Sequence, residues 1–173
     1  MELLKEILLV TIPALLVLLT AYLLIRKSIE EDRKKRRHEI ILQNSRTITP
    51  VRLQAYERLT LFLERISMES LIMRTNKPGM DAKQLHSTLL STIRSEYDHN
   101  LAQQIYVSPQ AWEVIKSARS NTIKLINTIS EQVPKTATGS DLSKNLLEAV
   151  MEMDQEPAKV ALDFLKKEIS TML

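Results

Sequence analysis

Glu96 and His99 stand three residues apart in the run Ser95-Glu96-Tyr97-Asp98-His99-Asn100, a spacing that puts a carboxylate and an imidazole on one face of a helix. Carboxylate-bridged di-iron bundles use such a Glu-x-x-His pair, together with a second copy of it and two more inward glutamates. The other histidines, His38 and His86, are preceded at the same offset by Lys35 and Lys83, so there is no second copy. Glu96, Tyr97 and His99 could instead form an acid/base cluster. Tyr97, however, belongs to an apolar stripe, and the preferred reading of its neighbours is a solvated or interhelical hydrogen-bonded edge. The cluster is kept as the alternative, a small-ligand-binding or catalytic helical bundle with its site around these three residues.

Composition narrows the remaining chemistry. Cysteine is absent, which removes thiol nucleophiles, disulfides, thiolate zinc sites and iron–sulfur clusters together. The only glycines are Gly79 and Gly139, too few for a phosphate-cradling loop or a dinucleotide fingerprint. No catalytic residue, metal ligand or cofactor is expected. The scarcity of glycine and aromatic residues also disfavours a sheet, and an all-α chain is expected.

The elements that would position any site are organised around residues 7–25, ILLVTIPALLVLLTAYLLI, nineteen residues without a charge, followed at once by Arg26 and Lys27. At the helical rise this stretch reaches roughly 28 Å, close to the hydrocarbon thickness of a bilayer. It reads as a transmembrane helix. A cleaved signal peptide would want a basic start, a shorter apolar core and a small-residue cleavage site, none of which is present. A helix of a soluble core would not be apolar on every face and end in a cluster of bases.

Seven bases follow the stretch: Arg26, Lys27, Arg33, Lys34, Lys35, Arg36 and Arg37. The excess of bases on this side predicts that the body faces the cytoplasm and the N-terminus the outside, with the bases against anionic lipid headgroups. Eight of the 24 bases and six of the 21 acids lie in residues 1–40, leaving 16 bases against 15 acids in the body. A nearly neutral body argues against nucleic acid as a partner.

Glu30 with Lys34, Glu31 with Lys35 and Asp32 with Arg36 are acid-to-base pairs at i,i+4, which carry the helix as a charged stalk to about Gln43. Residues 44–49 read as a polar break. Thr49-Pro50 then reads as cap and first helical position. Apolar positions Leu53, Tyr56, Leu59, Phe62, Leu63 and Ile66 define a helix to about Met73, ended by the turn at residues 75–79. Asp81 can cap a second helix carrying Leu85, Leu89, Ile93, Tyr97, Leu101 and Ile105 on one face and ending near Tyr106. Ser108-Pro109 starts a third, with Trp112, Ile115, Ala118, Thr122, Leu125, Ile129 and Val133 aligned. After a linker at 134–140, Leu142, Leu146, Leu147, Val150 and Met151 mark a shorter helix. Beyond Pro157, Val160, Ala161, Phe164, Leu165 and Ile169 mark the last. Trp112 reads as a core anchor and the scattered methionines as gap-filling core.

The stretches ITPVRLQAYERLTLFLERIS and LLSTIRSEYDHNLAQQIYVSPQAWEVIK resemble a family of uncharacterised, single-pass, membrane-anchored helical proteins of Bacteroidota-type bacteria, a domain of unknown function. The resemblance implies a place in the inner membrane of a Gram-negative cell and carries over no functional residues. The expected architecture is therefore a transmembrane anchor at 1–25, a basic juxtamembrane stalk at 26–48, and a cytoplasmic bundle of four or five antiparallel helices at 49–173. The expected function is a membrane-anchored interaction or scaffold module that binds a protein partner, with a second copy of the chain as a further candidate.

Overall fold

Proline, capping side chains and apolar periodicity divide the chain into helices joined by short connections. The computed structural model describes the backbone of residues 2–172 and the side chains of residues 9, 15, 16, 18–33, 35, 36, 39 and 48–171. Helix α1 spans Glu2–Ile66, α2 Met68–Thr75, α3 Ala82–Asn100, α4 Pro109–Gln132, α5 Gly139–Met151 and α6 Pro157–Met172, with a 3-10 turn at Leu101–Ile105 after α3. Among the described residues there is no strand, and the one β-type pairing is an isolated bridge between Asp81 and Thr138. The chain is all-α, as its composition predicts.

Two compact units make up the chain, Met1–Thr49 and Pro50–Leu173. Every described side chain of the first unit is exposed, including Leu15, Leu16, Leu18, Leu19, Leu23 and Leu24. Among the described residues of this unit no i,i+4 ion pair forms: Glu31 and Lys35, and Asp32 and Arg36, are not within bridging distance, while Lys34, the partner expected for Glu30, lies outside the described side chains.

The second unit closes around a single apolar core. Tyr56, Leu59, Phe62 and Leu63 of α1 join Leu71 of α2, Leu85, Leu89 and Ile93 of α3, Ile115 and Ile126 of α4, Leu146 of α5 and Leu165 of α6. Helix α3 packs against α2, α4 and α5, and α4 against α3, α5 and α6. Each starts with a side-chain cap. Asp81 Oδ1 accepts the Gln84 backbone N–H at 2.7 Å while the Asp81 N–H donates to Gln84 Oε1, and Ser108 Oγ accepts the Ala111 N–H at 3.0 Å ahead of Pro109. Caps of this kind satisfy backbone donors that the first turn leaves open.

The starts of α3 and α5 are laced together by backbone. The Ala82 N–H donates to the Ala137 carbonyl and the Gly139 N–H to the Met80 carbonyl at 2.8 Å. Thr138, inside the linker expected at 134–140, caps α5: its hydroxyl accepts the Asp141 N–H, and its own N–H donates to Asp141 Oδ2.

Four expectations about the helices are corrected. The break at residues 44–49 is absent: α1 continues through Pro50. A proline removes one i to i−4 hydrogen bond, and at this position that loss does not end the helix. The helix expected over 50–73 is split at Ser67, whose ψ of 141° leaves the helical region. The second unit consequently holds six helical segments rather than four or five, counting the end of α1. Finally, the helix expected to reach Tyr106 stays α only to Asn100. The tighter winding that follows advances about 120° per residue rather than 100°. A four-residue step on an α-helix already drifts about 40° round the axis, so Leu101 lies about 80° from Ile93; the tighter winding that begins at Leu101 carries Ile105 further, and the two are 43% and 73% exposed.

Candidate functional site

Consecutive residues on a helix point about 100° apart, and this separates the three members of the polar run in α3. Glu96 turns toward the first two helices of the unit. Arg65 Nη1 of α1 lies 3.1 Å from its Oε2 and Arg74 Nη2 of α2 lies 2.7 Å from its Oε1. Burial alone would push this carboxyl up; the hydrogen bonds and charges of Arg74 and Arg65 outweigh it and hold the group below the usual carboxylate range. A carboxylate so held stays ionised and is a poor proton acceptor. Its chemistry is that of a tie between three helices.

Tyr97 turns into the core and is 8% exposed. Its ring stacks on Trp112 with centroids 5.6 Å apart and meets the edge of Phe62 at 6.0 Å, while the Arg119 guanidinium lies 4.2 Å from the ring centroid. Phe62, Tyr97, Trp112 and Arg119 thus join α1, α3 and α4. Trp112 is the core anchor that the sequence predicts.

His99 turns to solvent, and its Nδ1–H donates to the Ser95 carbonyl at 2.6 Å, one turn back in the same helix. His99 and Glu96 line one cleft of about 400 Å³ with Arg58, Arg65 and Asn100, and Tyr97 does not face it. The structure therefore brings two of the three expected residues together and assigns the third to packing. Sequence reasoning missed Arg65, Arg74 and Arg119. Their partners lie on other helices, and no spacing along the chain signals such pairs. Among the described residues no group of three or more His, Asp or Glu side chains gathers as a metal site would require.

A second, larger depression of about 640 Å³ runs along α4 beside α6. Val114, Ala118 and Leu125 of α4 face Pro157, Val160 and Ala161 of α6, with Met153 at one end and Glu113 and Lys124 on the α4 rim. The lining is mostly apolar and the groove is open to solvent.

In the first unit Arg26, Lys27, Arg33, Lys35 and Arg36 are exposed; the side chains of Lys34 and Arg37 lie outside the described residues. Among the described residues no helix is long and apolar enough to cross a membrane. Of the stretch 7–25, residues Ile7, Leu8, Val10, Thr11, Ile12, Pro13, Ala14 and Val17 lie outside the described side chains.

The model of a family of unknown function, DUF7935, matches residues 2–172, which takes in α1 and the whole helical body together. The chain belongs to that family. No curated protein and no solved structure matches it.

Proposed function

We propose that this DUF7935 chain is a membrane-anchored helical interaction module. In this reading residues 7–25 cross the inner membrane of a Bacteroidota-type cell once, Arg26, Lys27 and the bases from 33 to 37 rest against anionic headgroups, and the body presents a binding surface to a protein partner in the cytoplasm. The observation that carries the reading is the unbroken run of exposed side chains from Leu18 to Ile25, which includes Leu18, Leu19, Tyr22, Leu23, Leu24 and Ile25 and ends directly at the exposed Arg26 and Lys27. So much apolar surface on one helix, closed off by charge, is stable when lipid covers it. The polar run in the body supports the non-enzymatic part: Glu96 is held by two arginines from other helices and the Tyr97 ring is packed against Trp112.

Because the chain lacks cysteine, single cysteines placed at Leu3 and at Thr136 test the topology cleanly. An impermeant maleimide should label position 3, and not position 136, in intact spheroplasts; labelling of 136 under those conditions rejects the cytoplasmic body. In-cell crosslinking of the full chain, with residues 1–48 as control, tests the module. A protein captured by the full chain and not by the control supports it, and capture of nothing by either sinks it.

A second reading is favoured by one feature, the shared cleft of Glu96 and His99 with Arg58 on its wall. There a small anionic ligand would meet Arg58, Arg65 and His99. Loss of function in His99→Ala with unchanged thermal stability would establish that reading, and an unchanged phenotype would remove it.

A further inference from the structure

The α4 groove carries charges at two places that are related to each other by symmetry. Glu113 and Lys124 line it eleven residues apart. Eleven residues are three helical turns plus about 20°, so both side chains lie on one face, separated by about 16 Å along the axis. Ser117 and Asn121, both short and exposed, lie between them, and the midpoint of each pair falls at position 118.5 or 119. Arg119 itself turns away, onto Tyr97.

An isologous dimer requires a surface on which residue i meets j of the partner while j meets i. Two copies of α4 laid antiparallel about position 119 meet this condition: Glu113 of each copy comes opposite Lys124 of the other, and Ser117 opposite Asn121. A parallel arrangement would set like charges against each other. Beside this line Met153 and Val160, 38% and 44% exposed, offer the apolar area that a second copy would cover. We propose that the groove face of α4 is a homodimer interface, paired antiparallel through reciprocal Glu113–Lys124 contacts. Within its own chain Glu113 already reaches Lys116, with Oε1 2.6 Å from Nζ, and two thirds of its side chain is exposed, so that its carboxylate has room for a second cation. Nothing in this pairing depends on the membrane reading.

The test uses the full chain in mild detergent, with mass measured by light scattering across a dilution series. The unaltered chain should be a dimer. Glu113→Lys and Lys124→Glu should each raise the dissociation constant about tenfold, since each reversal turns two symmetric attractions into repulsions. The double reversal restores the attraction and should return the constant close to the starting value. Ser117→Cys should crosslink between copies through a short bismaleimide, whereas Lys83→Cys, on exposed α3 surface, should not. Circular dichroism spectra of the variants should match the parent, because the altered side chains are exposed. A monomer at all concentrations overturns the proposal. So does a dimer indifferent to both reversals, which would place the contact on another surface, and so does a double variant that stays dissociated.

Discussion

The Met68 backbone N–H donates to Glu156 Oε1 at 2.5 Å, across 88 residues of sequence. This bond explains why a helix can stop at Ser67 and restart at once. The first N–H groups of a helix need acceptors, usually supplied by the residue just before it. Ser67 occupies that place, yet its hydroxyl donates backward to the Glu64 carbonyl at 2.8 Å and caps nothing ahead. The carboxylate from the turn before α6 takes over the task, and so it fixes the connection between α5 and α6 to the joint between α1 and α2.

Removing that acceptor should be felt as the loss of a cap. Glu156→Ala is expected to lower unfolding free energy by about 1 kcal/mol, within the range for helix caps. Glu156→Gln retains an oxygen acceptor and should recover about half of the loss. Urea denaturation of the three chains measures the effect; equal stability of all three would show that the bond contributes nothing.

Glu96 makes stability depend on acid. Its carboxyl titrates below the usual carboxylate range when folded, so the unfolded chain binds the proton more readily. The stabilisation is therefore present above the unfolded value, about 4.3 for glutamate, and is lost as pH falls from there through the folded value. Glu96→Gln should flatten the decline of melting temperature between about pH 5 and pH 3 and should lower stability at pH 7. Both arginines are more than 40% exposed, so added salt should shrink the difference between the two chains. An unchanged acid limb in Glu96→Gln would mean that other carboxylates govern it.

The fold was legible where a single helix could announce itself. Asp81 and Ser108-Pro109 carry their caps within three residues, and the stripes of Leu85, Leu89 and Ile93 or Trp112, Ile115 and Ala118 need no other helix to be recognised. Thr49-Pro50 carries the same local signature as Ser108-Pro109, yet only the latter starts a helix. The signature reports what a start would look like, and it does not report whether the preceding residues have left the helix. At Ser67 the deciding partner is Glu156, and at Glu96 the deciding partners are Arg65 and Arg74. Interhelical ties of this sort set both the missed break and the fate of the polar run. Periodicity along one helix contains neither.

Tyr97 joins three helices through its ring, so its truncation should resemble the loss of a core aromatic. Tyr97→Ala is expected to cost about 3–5 kcal/mol. Arg119→Met, which keeps the aliphatic length and removes the charge over the ring, should cost about 0.5–2 kcal/mol if the cation contact contributes as such contacts usually do. Trp112 is the only tryptophan, and its ring stacks directly on Tyr97, so fluorescence reads the change at its source. Emission should shift to the red in Tyr97→Ala, and an unshifted spectrum at full stability would contradict the stacking.

Gly139 begins α5, where alanine would ordinarily be the better helix former by about 1 kcal/mol. Here the added methyl would sit 3.1 Å from the Met80 carbonyl oxygen and 3.1 Å from Asn76 Oδ1. That carbonyl cannot retreat freely, because it accepts the Gly139 N–H at 2.8 Å in the lacing between the two helix starts. Asn76 is likewise held, donating through Nδ2 to Ser143 Oγ at 3.0 Å. Gly139→Ala should therefore destabilise by about 1–3 kcal/mol despite its gain in propensity, the range for overpacking a fitted site. Gly79 is the matched control: nothing lies within 4 Å of its would-be methyl, and its φ of 86° is the sole obstacle. Gly79→Ala should cost about 1–2 kcal/mol through backbone strain alone. Adding Asn76→Ala to each variant separates the two causes. It should relieve part of the Gly139→Ala penalty by removing one of the two crowding atoms, and it should leave the Gly79→Ala penalty unchanged. Equal relief in both backgrounds would show that the strain is shared across the whole connection and is not a local contact at Gly139.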